Sequence, residues 1–362
     1  MFRVLSELSV YRAALLCLIM LSLLTGWAAA SLEVESPGPG EPPVWPERAD
    51  VAVVSVDGDY VVYLPLLYRA PSPLWVDTQD REASRALYQA DYLGSAGSDS
   101  GWTGDHATCG AGTTSEAFRA AILRRINYYR SMAGIPPVAG FGDTYNRKAQ
   151  AAALMMSVNR TLSHTPNTSW TCYTEDGREG AGSSDLYLGV YGPDAISGYI
   201  YDPGSGNYAA GHRRWILYPQ TQLMGTGDIP SRDGYPPSNA LWVFDHDNMW
   251  GARPDTREVF VAWPPPGYVP YQVVYPRWSF SYPQADFGQA TVAMTCAGQP
   301  LALQQSAVVN GYGENTLVWE PQISFGSAPA ADIPCQVTVN DAIVETQPRS
   351  FTYTVIVFDP GL

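Results

Sequence analysis

The sequence predicts an α+β protein in which a helix-containing region is followed by an all-β region. Two long segments before residue 163 carry the helical signal, one amphipathic and one rich in alanine. After about residue 240, apolar and polar residues alternate with a period of two, which is typical of half-buried strands. With 362 residues the chain is long enough for two or three domains.

The composition excludes several functional classes. Charged residues make up only 15% of the chain, and the formal net charge is −14. A nucleic-acid-binding protein needs a basic surface, and the sequence offers none, so no nucleic-acid partner is expected. The single lysine, Lys148, follows Arg147 rather than a glycine, which excludes a Walker-type phosphate loop. The sequence contains no His-Glu-x-x-His, Cys-x-x-Cys or Gly-x-Ser-x-Gly motif.

Residues 1–30 predict a cleaved secretory signal peptide. Arg3 and Arg12 precede an apolar run over residues 13–24, and a run of alanines ending at Ala30 supplies the cleavage site. An uncleaved anchor is the alternative, but the run is shorter than the roughly 20 residues of a membrane span. We therefore expect a mature chain without a transmembrane span, secreted or held at the cell surface.

Three elements are predicted between the signal peptide and residue 108. Residues 31–50, rich in Pro, Gly and Glu, are expected to form an extended tether. An N-terminal extension over residues 51–108 follows. It is predicted to hold two short strands around a turn at residues 57–59 and a short helix near residues 82–92.

The strongest helix signals lie between residues 113 and 162. Thr113 and Glu116 match a capping box, and apolar residues then recur at spacings of three and four up to Gly134. A second helix is predicted over residues 144–162. Further along, the sequence predicts a short helix near residues 193–200, and a strand over residues 211–224 because the run there is apolar and bulky.

Residues 254–362 predict an all-β sandwich of the immunoglobulin-like type. Four segments show the period-two pattern and are separated by turn residues. They lie near residues 258–263, 289–294, 335–339 and 351–358.

Four cysteines remain after removal of the signal peptide, which contains Cys17. An even number in an exported chain predicts two disulfides, although buried free thiols are the alternative. Of the three possible pairings we favour Cys109–Cys172 and Cys296–Cys335, because each pair then falls within one predicted domain.

Two of the four histidines lie in segments that resemble a known family. The segments are residues 125–138, residues 149–164 ending in Leu-Ser-His164, and Gly211-His-Arg-Arg-Trp-Ile-Leu217. In order and spacing they resemble the CAP family of cysteine-rich secretory proteins, antigen 5 and pathogenesis-related proteins, in particular its bacterial extracellular branch. The resemblance implies an αβα sandwich over residues 109–253, with His164 and His212 facing one cleft.

In that family two glutamates join the histidines in the cleft. Here Ser184, followed by Asp185, stands where the first glutamate is expected. Asp202 stands for the second glutamate and is one methylene shorter. This departure from the family pattern puts any inherited metal or acid–base chemistry in doubt.

Three hypotheses for the cleft follow. Two neutral imidazoles and a carboxylate can hold Zn²⁺ and activate water, so His164, His212 and Asp202 are candidate zinc ligands of a peptidase-like hydrolase. Asp202 can instead orient an imidazole ligand by accepting a hydrogen bond from its other ring nitrogen. Alternatively, both histidines only pin residues 163–210 to the sheet, as in a structural envelope protein.

The incomplete set of acids and the missing nucleophile motif favour a non-catalytic protein that binds an extracellular ligand or partner protein. The resemblance adds lipids to the ligand classes without selecting one. The β-sandwich is expected to serve as an adhesion or spacer module.

Other conspicuous residues have simpler interpretations. Asp245-His246-Asp247 is expected to form a polar turn rather than a metal site. Arg213 and Arg214 are expected to pair with a loop carboxylate, and His106 is expected to be exposed. Tryptophans are expected to fill the core rather than to stack on sugars; they are Trp170, Trp215, Trp242 and Trp250.

Overall fold

The computed structural model describes residues 51–56, 60–65 and 74–362. The predicted signal peptide, the tether and the turn at residues 57–59 lie outside the described residues. Strands β1 (Val51–Val56) and β2 (Tyr60–Pro65) pair antiparallel, as predicted. The rest of the chain, Pro73–Leu362, forms a compact unit of its own.

The helices of this unit agree with the sequence in most places. They are α1 (Arg81–Leu87), α2 (Glu116–Met132), α3 (Asp143–Asn159), α4 (Glu175–Gly182), α5 (Pro193–Tyr201) and α6 (Gly211–Ile216). The cap of α2 differs from the prediction, because Ser115 Oγ, and not Thr113, accepts the amide hydrogen of Phe118 at 3.2 Å. Thr113 pairs through its backbone with Thr103, so it is not free to cap.

The strand predicted over residues 211–224 is wrong over its first half. Gly211–Ile216 is helical, and strand β5 begins only at Leu223. A helix of six residues contains fewer than two turns, so its apolar run cannot be told from a strand by periodicity. The consequence is that His212 lies in the first turn of a helix and not at the start of a strand.

A four-stranded sheet forms the centre of the helical region. Its strands are β3 (Gly140–Phe141), β4 (Ser184–Leu188), β5 (Leu223–Ile229) and β6 (Ser238–Trp242). Their order is β3-β5-β6-β4, with β3 parallel to β5 and the other pairs antiparallel.

Helices cover both faces of this sheet and give the expected αβα sandwich. Strand β6 shows the two faces: Ala240 and Trp242 pack in the core beneath α3, whereas Leu241 packs in the core shared with α2 and α5. Helix α3 lies so close to the sheet that a Cβ atom on Gly227 would overlap the backbone of Ala149.

Two further sheets form the C-terminal β-sandwich. One has the order β11-β10-β14-β15-β8 and the other β12-β13-β9-β7. The strands are β7 (Val261–Trp263), β8 (Gly267–Pro270), β9 (Trp278–Ser281), β10 (Thr291–Cys296), β11 (Gln299–Pro300), β12 (Leu303–Gln305), β13 (Thr316–Pro321), β14 (Ile333–Val344) and β15 (Gln347–Phe358). The α+β class and the β-sandwich are thus as predicted. The boundary at residue 253 stays a prediction, since the sandwich and the helical region share one continuous core.

Both predicted disulfides are present. Cys109 is bonded to Cys172, and Cys296 is bonded to Cys335. The second bond joins residues that face each other directly on β10 and β14, so it lies within one sheet rather than between the two sheets.

Candidate functional site

His164 and His212 line the same cleft. Two adjoining cavities of about 330 and 360 Å³ share these two histidines and Asn207 in their walls. Ser184 and Asp185 border the first cavity, and Asp202 borders the second. The fold therefore gathers all five residues singled out in the sequence around one groove.

Asp202 holds His212 in place. This aspartate is fully buried and caps the C-terminus of α5, where its backbone has a left-handed φ of +54°. Its Oδ1 accepts the Nδ1 hydrogen of His212 at 2.7 Å, and its Oδ2 accepts the backbone N–H of the same residue at 3.1 Å. Ala210, the residue before α6, has no side chain that can cap the helix, so Asp202 instead accepts a backbone N–H of the first turn.

The electrostatics of the cleft keep His212 protonated. Burial alone lowers the pKa of His212, but the hydrogen bond that its ring donates to Asp202 and the charges of Asp185 and Asp202 outweigh burial and raise the pKa to about 9. At neutral pH the ring is thus an imidazolium whose Nδ1–H is used by Asp202 and whose Nε2–H remains as a donor.

Asp185 is the second acid of the cleft. Leu186 packs in the core under α3, so strand alternation places Ser184 on that face and Asp185 on the opposite one. The charge that acts on His212 is that of Asp185, the residue after the one that stands where the family has its first glutamate. Burial raises the pKa of Asp185 well above its usual range.

Both Ser184 and Asp185 carry an unpaired buried atom. Ser184 Oγ and Asp185 Oδ2 have no hydrogen-bond partner within the part of the chain that the structure describes. Such atoms are uncommon in folded proteins and call for an explanation. Asp185 is 3% exposed and borders the cavity, so a hydrogen bond to a bound ligand would explain its unpaired oxygen.

His164 lies in the loop five residues beyond the end of α3, on the exposed side of the cleft. Its Nδ1 donates to the carbonyl oxygen of Ala181 at 2.9 Å, which ties this loop to α4. In the neutral ring this bond leaves Nε2 as an acceptor.

The comparison with known families agrees with this geometry. Residues 123–245 match the model of CAP, the cysteine-rich secretory protein family. This segment is a CAP domain. The matched segment contains the sheet β3-β5-β6-β4 and the cleft, and it ends before the β-sandwich. No curated protein matches the chain.

The residues of the CAP cleft do not fit the predicted zinc site. Among the residues that the structure describes, no group of three or more His, Cys, Asp or Glu side chains is placed to hold a metal ion. Asp202 directs both carboxylate oxygens to His212, so it orients the imidazole instead of offering a ligand.

The paired arginines of the CAP domain have partners other than those predicted. Both are buried and donate mainly to backbone carbonyls rather than to a carboxylate. Arg213 Nε reaches Ile200 O at 2.6 Å, and Arg214 Nη1 reaches Val309 O at 2.7 Å. Arg214 thereby joins α6 to the β-sandwich.

Three other expectations have mixed outcomes. His106 is buried and not exposed, because it stacks on Tyr235 and bonds to Ser157 Oγ at 3.1 Å. Asp245 forms a polar turn by accepting the amide hydrogens of residues 222 and 223. Trp250 is 82% exposed, so it does not fill the core.

Arg130, which supports the segment after α6, is a residue that the sequence interpretation missed. It is fully buried on α2, and its guanidinium donates to one carbonyl in the loop after α2 and to four carbonyls of the chain that leaves α6. Its acceptors are the carbonyls of Pro136, Ile216, Tyr218, Pro219 and Thr221. The available signal was its position four residues after Ile126 on the apolar face of α2.

Proposed function

We propose that this CAP-domain protein is secreted or held at the cell surface and binds a small polar ligand in the His164–His212 cleft without turnover. The unpaired Oδ2 of Asp185 carries this proposal. A buried polar atom without a partner costs about 1–3 kcal/mol. A ligand that hydrogen-bonds to Asp185 Oδ2 would explain why this unpaired oxygen lies at the cleft.

The groups that surround the cavity suit recognition better than catalysis. His212 Nε2–H is a charged donor, and Asp185 Oδ2 adds an unpaired polar atom. His164 Nε2 can accept. A general base must instead be unprotonated near the working pH, which His212 is not.

Two observations support an extracellular location. The two disulfides are typical of proteins that mature in an oxidising compartment. In the described part of the chain, no helix has the length and apolar character of a membrane span. N-terminal sequencing of the exported protein tests this location: a start near Ser31 is expected, and an intact N-terminus would contradict it.

The variant Asp185→Asn is expected to lose ligand binding while remaining at least as stable as the wild type. The folded-state pKa of Asp185 is raised, so folding loses stability as the pH rises above the usual carboxyl range. Asparagine carries no charge and avoids this loss at pH 7. Ligand-observed NMR with a library of small polar compounds, together with urea unfolding, measures both effects.

Asp247→Asn is the matched control, since it makes the same chemical change at an exposed loop position. If Asp185→Asn binds the same compounds as the wild type, the cleft is not the binding site. Stoichiometric zinc, together with peptide cleavage that both His164→Ala and His212→Ala abolish, would favour the hydrolase instead. Unfolding of either histidine variant would favour a purely structural role.

A further inference from the structure

The β-sandwich contributes a side chain to the CAP cleft. Tyr312 lies in the loop between β12 and β13, yet it lines the 330 Å³ cavity. Its ring meets that of Trp215 edge to face with centroids 6.5 Å apart, and Trp215 meets Phe244 at 4.8 Å. We call these three rings the aromatic wall.

The loop that carries Tyr312 is held firmly in place. Arg214 donates to Val309 O at 2.7 Å and to Glu314 O at 3.0 Å, on either side of the tyrosine, and its guanidinium lies 5.3 Å from the tyrosine ring. The buried carboxylate of Glu314 pairs with Arg253 at 2.5 Å. Although Tyr312 is 39% exposed, its backbone is fixed at both sides, which reduces the entropy lost on binding.

The cavity is thus lined by two kinds of group. The rings of Phe244 and Tyr312 lie at 72° and 69° to that of Trp215, so the aromatic wall offers the carbon surface of individual rings. Asp185, His164 and His212 offer hydrogen-bonding groups. A ligand that fits both must have an apolar face and an edge that donates and accepts hydrogen bonds. A sugar ring has this form, because C–H groups make up its face and hydroxyls its rim.

We propose that the cleft binds a neutral sugar ring that stacks on one ring of the aromatic wall, and that Tyr312 is a specificity-determining contact. This inference rests on the function proposed above and names its ligand class. The net charge of −14 disfavours sulfated or other polyanionic glycans. An acyl chain would leave Asp185 Oδ2 without a partner, which disfavours a lipid.

Calorimetry and ligand-observed NMR with neutral cello- and chito-oligosaccharides of three or four units test the proposal. Tyr312→Ala is expected to weaken binding about tenfold, which corresponds to about 1.4 kcal/mol. Tyr312→Phe should bind within about twofold of the wild type, because stacking uses the ring and not the hydroxyl. Trp250→Ala, which removes an exposed tryptophan that does not line the cavity, is the control and should bind as the wild type does.

The outcomes separate this inference from the proposed function. If small polar compounds bind in an Asp185-dependent manner but no neutral oligosaccharide binds, the ligand class is wrong and the proposed function stands. Equal affinities for wild type and Tyr312→Ala would overturn the role of the aromatic wall. Tighter binding of heparin fragments than of neutral sugars would overturn the neutral class. Absence of Asp185-dependent binding by any probe would refute the proposed function itself.

Discussion

Replacing Arg130 with methionine should lower the free energy of unfolding by about 3–5 kcal/mol, because several buried carbonyls lose the charged donor that this guanidinium provides. The guanidinium is fully buried, and burial lowers its pKa to about 9. Four of its acceptors, from Ile216 to Thr221, belong to the segment that leaves α6. Urea unfolding followed by circular dichroism measures the effect.

Arg124→Met on the same helix is the control for this prediction. Arg124 is about half exposed and makes a surface ion pair with Asp91, which should contribute no more than about 1 kcal/mol. Similar unfolding free energies for the two variants would show that the carbonyl network around Arg130 does not hold α6.

The variant Asp202→Asn should remove most of the pH dependence of stability between pH 6.5 and 9. In the wild type the folded-state pKa of His212 is about 9, above its usual 6.5. The stabilisation that protonated His212 gives to the folded state is therefore complete below pH 6.5 and is lost as the pH rises towards 9. Asparagine can still accept a backbone N–H of α6, but it withdraws the charge that retains the proton.

Unfolding free energies at pH 6.5 and pH 9 give the required comparison. The difference between the two pH values should be smaller in Asp202→Asn than in the wild type and unchanged in Asp247→Asn. An equal pH dependence in the wild type and Asp202→Asn would mean that Asp202 does not set the protonation of His212.

The long helices could be predicted from the sequence because their periodicity runs over many turns. Helices α2 and α3 each have 17 residues, and both were expected within a few residues of their observed ends. Helix α6 was missed because six residues are too few for the period to appear. The start of α2 was misplaced because the pairing of Thr113 with Thr103 is a tertiary contact that no capping pattern contains.

The candidate site could be predicted only in part. The two histidines follow from local motifs, but the choice between Ser184 and Asp185 depends on which face of β4 each residue occupies. A shift of one residue along a strand changes the face, and a motif alone does not determine this register. Tyr312 comes from a loop about one hundred residues after Trp215, so only the packing of the β-sandwich against α6 reveals its place in the cleft.

The protonation state of His212, observed by nitrogen-15 NMR of the imidazole at pH 7.5, tests the central claim most directly. We expect hydrogen on both ring nitrogens. One equivalent of zinc should leave the ring signals unchanged, whereas a bound ligand should shift the Nε2 signal. A ring that is neutral at this pH and whose Nε2 signal moves on addition of zinc would contradict it and would favour a metal site.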